Sequence, residues 1–387
     1  MKEVDATRYA YRFDMLIDSA VKQEGVMWNI GWGLTSKCNL ECSFCYSITA
    51  RHAANDIEDF SITKDFIDDN FHLVNSVNYG TGENSLCDVW PRVLMYVNKE
   101  FPRVVQGVTT NGYLGELCGN SSRTLEAVVD CLEEVDVSLD FGSKEKHNKF
   151  RNNPFVYDWA IKTFELCNKL RKRSTLVFLG TNETLKTSNI NSLFELAQKY
   201  GSVVRLNLFR PTFGINEQTK KFIPDFEIIQ KTLEYICVNY KILKISDPLF
   251  SAIFTHGNYP CADPSGVSSV RILPDGSITP STYLISHEFK KLNIRMKNAF
   301  EQLNKEGFKS LIDRSTPEEC IGCQYEATCQ GGAFDRRYLW YGDFSKKDPY
   351  CPFEAGKNIN ISKLRITEDA NFKSIHDGYL PTLFFCN

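Results

Sequence analysis

Short apolar runs alternate with longer amphipathic segments through the first two thirds of the chain. The runs are four to seven residues long, as expected of buried strands, and the intervening segments have the length of helices. The predicted strands are 29–34, 76–79, 103–109, 135–139, 175–180 and 203–209. The predicted helices are 61–74, 89–99, 121–134, 154–172, 189–200 and 224–240. This alternation indicates parallel strands with right-handed crossovers, so the fold class is α/β with a partial (β/α)6 TIM-like barrel.

The pattern changes after residue 240, where small and turn-forming residues become frequent. Asp275-Gly276 lies between two runs of alternating residues, and this dipeptide between such runs predicts a β-hairpin. A helix is predicted near 297–312, and a cysteine-rich segment follows it. The predicted division is an N-terminal segment 1–25, a barrel 26–240, a cysteine-rich domain 241–355 and a tail 356–387.

Composition narrows the compartment and the partners. The formal net charge of the 387 residues is -3, so no broad basic field favours nucleic acid. No apolar signal core opens the chain, and no apolar run approaches the roughly 18 residues of a membrane helix. Fourteen cysteines in a chain without a leader indicate metal ligation in a reducing compartment rather than disulfides. We therefore expect a cytoplasmic protein with no membrane partner.

Three cysteines, Cys38, Cys42 and Cys45, come shortly after the first predicted strand. Chemistry in barrels of this kind lies at the carboxyl ends of the strands, which is where this loop is placed. Three thiolates can hold three irons of a four-iron cluster, and the fourth iron then keeps an open position. A zinc site or three unrelated cysteines are the alternatives.

This cysteine spacing resembles that of the radical S-adenosylmethionine (AdoMet) enzymes, and the resemblance continues beyond the loop. It implies that Phe44 packs by the adenine of AdoMet, with a plain core phenylalanine as the alternative. The turn Gly80-Thr81-Gly82-Glu83 resembles the Gly-Gly-Glu segment of the family, in which Gly82 and Glu83 receive the AdoMet amino group. Thr81 replaces the usual first glycine, and a surface turn is the alternative here.

Later strand ends extend the resemblance. Asn111 lies in a Thr-Asn-Gly segment that faces the cavity in the family. Ser138 and Asp140 share one side of a strand and resemble residues near the ribose and carboxylate of AdoMet, unless they cap the next segment. Arg205 is predicted to bind the AdoMet carboxylate and Arg210 a substrate, with surface ion pairs as the alternative for both.

A second cysteine cluster follows near the C-terminus. It comprises Cys320, Cys323, Cys329 and Cys351, a spacing typical of a metal site. The cluster resembles the SPASM extension of radical AdoMet enzymes, which carries auxiliary four-iron clusters. A closed zinc site is the alternative.

The inner auxiliary cluster of that extension lacks ligands in this chain. The resemblance places its ligands at Cys261, Ser281 and Ala333, so two expected cysteines are missing. We therefore predict one auxiliary [4Fe-4S] cluster, the outer one, in addition to the cluster with the open iron. Cys261 is then predicted to be a hydrogen-atom donor near the active site, with an inert buried cysteine or a ligand to a partial cluster as alternatives.

The resemblance implies an enzyme that cleaves AdoMet reductively and abstracts hydrogen from a substrate carbon. The favoured substrate is a ribosomally made precursor peptide that is cross-linked, epimerised or rearranged in its backbone. A sugar of an aminoglycoside or nucleoside is the alternative, and a non-catalytic iron–sulfur or zinc protein is a remote one. The expected partners are a flavodoxin or ferredoxin reductant and a separate peptide-recognition protein.

Overall fold

Six parallel strands, paired in chain order, form the centre of the structure. The computed structural model describes residues 26–53, 55–120, 123–258, 261–353, 372–376 and 383–386. The six strands are β1 (Trp28–Trp32), β2 (Val74–Tyr79), β3 (Val105–Thr110), β4 (Glu134–Ser138), β5 (Arg173–Gly180) and β6 (Val203–Leu208). Each pairs in parallel with the next strand along the chain, as the alternating pattern predicted.

Helices connect successive strands, which is the crossover expected of a parallel sheet. The helices in the described residues are α1 (Ile48–Ala53), α2 (Phe60–Asn70), α3 (Trp90–Glu100), α4 (Tyr113–Asn120), α5 (Arg123–Asp130), α6 (Lys144–Phe150), α7 (Val156–Leu170), α8 (Thr187–Tyr200), α9 (Glu217–Lys220), α10 (Phe226–Asn239), α11 (Pro248–Thr255), α12 (Ala299–Glu306), α13 (Glu326–Cys329) and α14 (Phe334–Tyr341). None that the structure describes is long and apolar enough to cross a membrane.

Local signals explain where several helices begin and end. The Asp59 carboxylate accepts a hydrogen bond from the Ser61 backbone N–H at 2.8 Å and so caps α2. The side chain of Asp247 caps α11, which has Pro248 in its first turn. Helix α8 ends where Gly201 adopts the left-handed conformation, with a φ of 65°.

Aromatic side chains pack the first strand against the helices beside it. Trp32 is buried and its ring lies 5.6 Å from the ring of Phe66 in α2 and 6.3 Å from that of Tyr79 in β2. Trp28 packs 5.9 Å from Phe300 in α12. Helix α12 belongs to the cysteine-rich part of the chain, so this core joins it to the barrel.

The predicted hairpin is present and continues the barrel sheet. Strands β8 (Ser269–Ile272) and β9 (Ser277–Thr279) pair antiparallel around Asp275-Gly276, and β10 (Leu292–Asn293) pairs with β9. Strand β8 also pairs in parallel with β1, from Asn29↔Ser269 to Trp32↔Ile272. The hairpin therefore brings its own side chains to the edge of the barrel cavity.

The opposite edge holds two strands that the sequence pattern did not predict. Strand β7 (Lys241–Ile245) lies just past the predicted boundary at 240, and β11 (Leu383–Cys386) belongs to the tail. Strand β11 pairs antiparallel with both β6 and β7. The tail thus completes the sheet, whereas the predicted segment 1–25 lies outside the described residues.

Candidate active site

A cavity of about 200 Å³ is bounded by the loop after β1 and by residues of the neighbouring strands. Nine of the residues predicted to form the site line it together. They are Cys38, Cys42, Phe44, Cys45, Gly82, Asn111, Ser138, Asp140 and Arg205. Parallel strands bring these residues together because their carboxyl ends meet at one end of the sheet.

The three cysteines of the first loop are close enough for the charge on one thiolate to raise the pKa of another. Burial raises the pKa of the Cys42 thiol to about 12; Arg151 opposes this rise, and charges on Cys45 and Cys38 add to it. Such thiols lose their protons when a cation binds them. The donor set, three thiols around one cavity, therefore fits an iron–sulfur cluster with one iron left open. Among the described residues, no three His, Cys, Asp or Glu side chains converge on a single ion position.

The cysteine loop rests on the turn after β2. The Glu83 backbone N–H donates to the Lys37 carbonyl at 2.8 Å, and Gly82 has a φ of 64°. A Cβ on Gly82 would lie 2.3 Å from the Lys37 carbonyl oxygen, closer than real Cβ atoms come. Glycine is therefore required where the two loops touch.

Glu83 is fully buried and is not on the cavity wall. Its carboxylate accepts hydrogen bonds from the Ser85 hydroxyl at 2.7 Å, the Thr110 hydroxyl at 2.9 Å and the Asn111 backbone N–H at 2.8 Å. Burial raises the pKa of Glu83, and these hydrogen bonds oppose the rise. The carboxylate ties the turn after β2 to the end of β3, and its predicted contact with AdoMet stays a prediction.

Asp140 and Arg151 form a buried ion pair beside the cysteine loop. Arg151 Nε donates to Asp140 Oδ2 at 2.6 Å, and its guanidinium lies 5.5 Å from the centre of the Phe44 ring. The Phe44 ring also stacks on Phe150, 4.3 Å away. The sequence singled out Asp140 and Phe44 but missed Arg151, a cation at the end of α6 that only folding brings to the loop.

A second ion pair lies deeper in the barrel. Arg205 Nη2 donates to Asp136 Oδ2 at 2.7 Å, and the Thr109 hydroxyl donates to the same oxygen at 3.2 Å. His376 Nε2 lies 2.5 Å from that oxygen. Arg205 and His376 both line the cavity, so the tail contributes to its floor. Nothing in the sequence marked His376, because it reaches β4 only through tertiary packing.

The hairpin supplies the remaining wall. Arg271 in β8 is buried and donates to the Thr81 hydroxyl. Thr81 has a φ of 76°, which is strained for a β-branched residue and explains why glycine suits this position better. Arg210 stacks over the Tyr283 ring at 4.4 Å, and both line the cavity.

The four cysteines of the second cluster lie close together beside α13. Burial raises the pKa of Cys320 to about 11, and the charges on Cys351 and Cys323 add to the rise. Charges on Cys351 and Cys320 act in the same direction on Cys329, where burial is again the largest cause of a raised pKa. The metal site formed by these four thiols stays a prediction from their spacing.

The positions that lack cysteine are filled by protein contacts. Ser281 is buried and its hydroxyl donates to Asp335 Oδ2 at 3.3 Å, while Arg210 Nε donates to Asp335 Oδ1 at 3.2 Å. Ala333 is fully buried, and its backbone N–H donates to Asp348 at 3.0 Å. The absence of an inner auxiliary cluster stays a prediction from the sequence.

Cys261 is not brought to the cavity. Its thiol is half-buried, donates to the neighbouring Ala262 carbonyl at 3.6 Å and is absent from the cavity wall. Its chain position near the hairpin suggested a place near the active site, but β8 carries Arg271 there instead. The hydrogen-donor role of Cys261 stays a prediction.

Comparison with known proteins finds relatives of similar sequence over most of the chain. No family model matches it. An AdoMet-dependent heme synthase of Methanosarcina barkeri is 27% identical over 361 residues, which cover 85% of this chain and 97% of the relative. The mycofactocin maturase MftC of Mycolicibacterium smegmatis is 22% identical over 333 residues, covering 83% of this chain and 81% of the maturase.

The fold is similar to that of a solved structure. The structure of anSMEcpe with bound AdoMet and the Cp18Cys peptide matches with a TM-score of 0.66 and 16% identity, over 83% of this chain and 93% of that one. The predicted fold class, a partial barrel followed by a smaller C-terminal part, is confirmed.

Proposed function

Because the chain is similar in sequence and fold to SPASM-type radical AdoMet maturases, as its motifs predicted, we propose that it binds AdoMet and a four-iron cluster in this cavity and performs radical chemistry on a peptide. The observation that carries the proposal is one cavity lined by Cys38, Cys42 and Cys45 together with the Asp140–Arg151 pair.

The cysteine loop would hold the cluster and leave one iron to AdoMet. Asn111 Nδ2 lies 3.8 Å from Cys38 Sγ and donates to Asn39 at 2.8 Å, which fixes the loop against the end of β3. Arg51 Nη1 lies 3.9 Å from Cys45 Sγ and stabilises negative charge on that sulfur. When bound and reduced by one electron, the cluster and AdoMet supply a radical able to abstract hydrogen from an unactivated carbon.

The residues around the loop would bind the polar and aromatic parts of AdoMet. Gly82 lines the cavity, so the backbone after β2 would contact the AdoMet amino group there. Arg151 carries a charge suited to a carboxylate, and Asp140 holds it in place. Phe44 offers a ring to the adenine, and Ser138 offers a hydroxyl near the ribose. These roles follow the resemblance and remain proposals for each residue.

The cavity wall would protect the reaction from water. Phe44, Leu208 and Phe209 are buried and apolar and line the cavity beside the polar groups. Excluding water and other hydrogen donors keeps a reactive radical on its substrate. The second cysteine cluster would hold one auxiliary four-iron cluster, which passes electrons or braces its domain. A reductant of the flavodoxin or ferredoxin class would supply the electron.

A peptide is the substrate that the comparisons favour. One relative is named a maturase, and the similar solved structure holds a peptide beside AdoMet. A short precursor peptide encoded next to this protein would name the substrate, and a separate recognition protein would assist if the chain lacks that function itself.

The test is anaerobic reconstitution with iron and sulfide, followed by incubation with AdoMet and dithionite. We expect the wild type to form 5′-deoxyadenosine, detected by mass spectrometry, and the Cys42→Ala variant to form none. The control Val238→Ala should cleave AdoMet like the wild type, since Val238 is 84% exposed. If the reconstituted wild type forms no 5′-deoxyadenosine, the proposed chemistry is wrong.

A tetrapyrrole is the second candidate substrate. The heme synthase relative is 27% identical and is covered over 97% of its length, which favours this class. Incubation with an iron tetrapyrrole that carries carboxylate side chains distinguishes the two. A change in the tetrapyrrole mass that depends on AdoMet supports the second candidate, whereas an unchanged tetrapyrrole and a modified precursor peptide support the first.

A further inference from the structure

Two ion pairs divide the cavity into an upper and a lower part. Asp140 pairs with Arg151 beside the cysteine loop, and Asp136 pairs with Arg205. Asp136 in β4 and Asp140 just after it are four residues apart, so their side chains point to the same face. Four residues of extended chain span about 13 Å. Asp136 therefore lies well below the loop. Arg205 is level with Ser138 in the register of β4, β5 and β6, and its guanidinium reaches down to Asp136. Arg151 is the cation that stands beside the cysteines.

The guanidinium of Arg205 has hydrogen-bonding capacity that the protein leaves unused. Arg205 is 1% exposed, and its Nη2 donates to Asp136. Its Nε and Nη1 have no hydrogen-bond partner among the described residues. Buried N–H groups of a charged side chain are normally satisfied, so a missing partner points to a ligand. Because Arg205 lines the cavity, a ligand in the cavity can supply the acceptors.

Neighbouring side chains also have buried polar atoms without a hydrogen-bond partner among the described residues. Asn207 lies two residues further along β6, on the same face as Arg205, and its buried side-chain oxygen has no partner in the described part of the chain. Arg210 pairs with Asp335 through Nε, but its Nη2 is buried without a partner there. Asp136 Oδ1 also lacks a donor among these residues.

We propose that Arg205, with Arg210, binds a carboxylate of the substrate in the lower part of the cavity, and that Asp136 and the side-chain oxygen of Asn207 accept an N–H or O–H next to that carboxylate. A planar guanidinium matches a carboxylate in a two-point contact. A phosphate dianion fits less well because it would bring a second negative charge beside Asp136. The proposal rests on the proposed function only in that AdoMet occupies the upper part.

The proposal changes the role that the sequence predicted for Arg205. Arg205 was expected to bind the AdoMet carboxylate; its pairing with Asp136 on the cavity floor and its unused N–H groups instead favour the substrate as its ligand. Arg151 would then bind the AdoMet carboxylate. Its charge lowers the pKa of the Cys42 thiol, and its guanidinium lies over the Phe44 ring. The two arginines should therefore affect different ligands.

Three small probes test the proposal on the reconstituted protein with AdoMet present. N-acetylglycine carries a carboxylate next to an amide N–H; levulinate replaces that N–H by a methylene; N-acetylglycinamide replaces the carboxylate by an amide. Ligand-observed NMR titrations under anaerobic conditions measure the binding of each. We expect saturable binding of N-acetylglycine, about tenfold or more weaker binding of N-acetylglycinamide, since a charged contact is lost, and intermediate binding of levulinate. Equal binding of levulinate and N-acetylglycine would assign the carboxylate to a source without an adjacent N–H and still support the carboxylate site.

The variants compare the two ion pairs. Asp136→Asn/Arg205→Gln replaces the lower pair by neutral groups of similar size and avoids a lone buried charge, and Arg205→Lys keeps the charge but loses the fork. The double variant and Arg205→Lys should lose N-acetylglycine binding and keep AdoMet binding. Arg151→Gln should bind AdoMet more weakly, and with AdoMet in excess it should still bind N-acetylglycine. Equal binding of N-acetylglycine and its amide, or loss of AdoMet binding in Arg205→Lys, would overturn the proposal. Absence of AdoMet binding to the wild type would instead count against the proposed function.

Discussion

The backbone N–H of Glu83 and the carbonyl of Lys37 join the turn after β2 to the cysteine loop at 2.8 Å. This one contact sets how closely the two loops approach, because Gly82 beside it leaves no room for a side chain. The position of the three thiols therefore depends on a glycine in a different loop.

Substitution Gly82→Ala tests this dependence. The added Cβ would lie 2.3 Å from the Lys37 carbonyl oxygen, and the φ of 64° disfavours alanine as well. We expect the free energy of unfolding to fall by about 2 kcal/mol or more and iron incorporation into the first site to drop. Urea denaturation and iron analysis measure the two effects.

Gly201→Ala is the matched control. Gly201 has nearly the same φ, 65°, but nothing lies within 4 Å of its ideal Cβ position. We expect a loss of about 1 kcal/mol from backbone strain alone, with iron content unchanged. Equal effects of the two variants would show that the contact with Lys37 is unimportant.

Arg336 joins α14 to the start of α11 and to the segment around Asp348, all within the cysteine-rich part. Its guanidinium is 1% exposed and pairs with both Asp247, the cap of α11, and Asp348. Replacement by methionine leaves two buried carboxylates without their cation, so we expect a loss of about 3–5 kcal/mol of unfolding free energy. Urea denaturation at neutral pH measures this loss.

An exposed ion pair provides the comparison for Arg336. Lys231 and Glu227 are one turn apart on α10 and are mostly in solvent. Lys231→Met should cost less than about 1 kcal/mol. A similar small loss for Arg336→Met would mean that the buried network contributes little to the stability of the cysteine-rich part.

His147 should make stability depend on pH. Its Nδ1 accepts a hydrogen bond from the Asp140 backbone N–H at 3.1 Å, which requires a neutral ring. Burial and the charge of Arg151 lower the pKa of His147 to about 3, although the carboxylate of Asp140 acts to raise it. Because the unfolded chain binds the proton near pH 6.5, the folded state is favoured fully above that pH and loses stability as the pH falls towards 3.

Denaturation of His147→Gln between pH 7 and pH 4.5 checks the sign. The wild type should lose on the order of 2 kcal/mol over this range from His147 alone, and the variant should show a flatter profile. Parallel profiles for the two proteins would contradict the buried, neutral state of His147.

Iron content distinguishes the cluster inventories. The first site with three cysteines and one complete outer site predict about eight irons per chain after reconstitution. Cys329→Ser should remove about four of them and leave AdoMet binding at the first site intact. About twelve irons in the wild type would show that Ser281 and Ala333 do not prevent an inner cluster.

Cys261→Ala separates a catalytic thiol from a structural one. The thiol is not on the cavity wall, so we expect the variant to keep product formation, in contrast to Cys42→Ala, which should lose it. Product analysis in deuterated solvent measures both. If Cys261→Ala has its full iron content but forms no product, or forms product without solvent deuterium, the hydrogen-donor role predicted from the sequence is supported.

The sequence alone determined the order of the six barrel strands, the hairpin and both cysteine clusters. These features are local: apolar runs, an Asp-Gly turn and close cysteine spacing each act over a few residues. Phe44, Asn111 and Asp140 were also found from the sequence, because they lie within or just after predicted strand ends and loops.

Tertiary structure decided which distant groups meet at the cavity. Arg151 reaches the cysteine loop from α6, Arg271 arrives because β8 pairs with β1, and His376 contacts Asp136 from the tail. No local pattern encodes such pairs, since their members are separated by tens to hundreds of residues. The folded sheet also brought Arg205 of β6 to Asp136 of β4 on the cavity floor, because strand pairing, and not separation along the chain, decides which side chains meet.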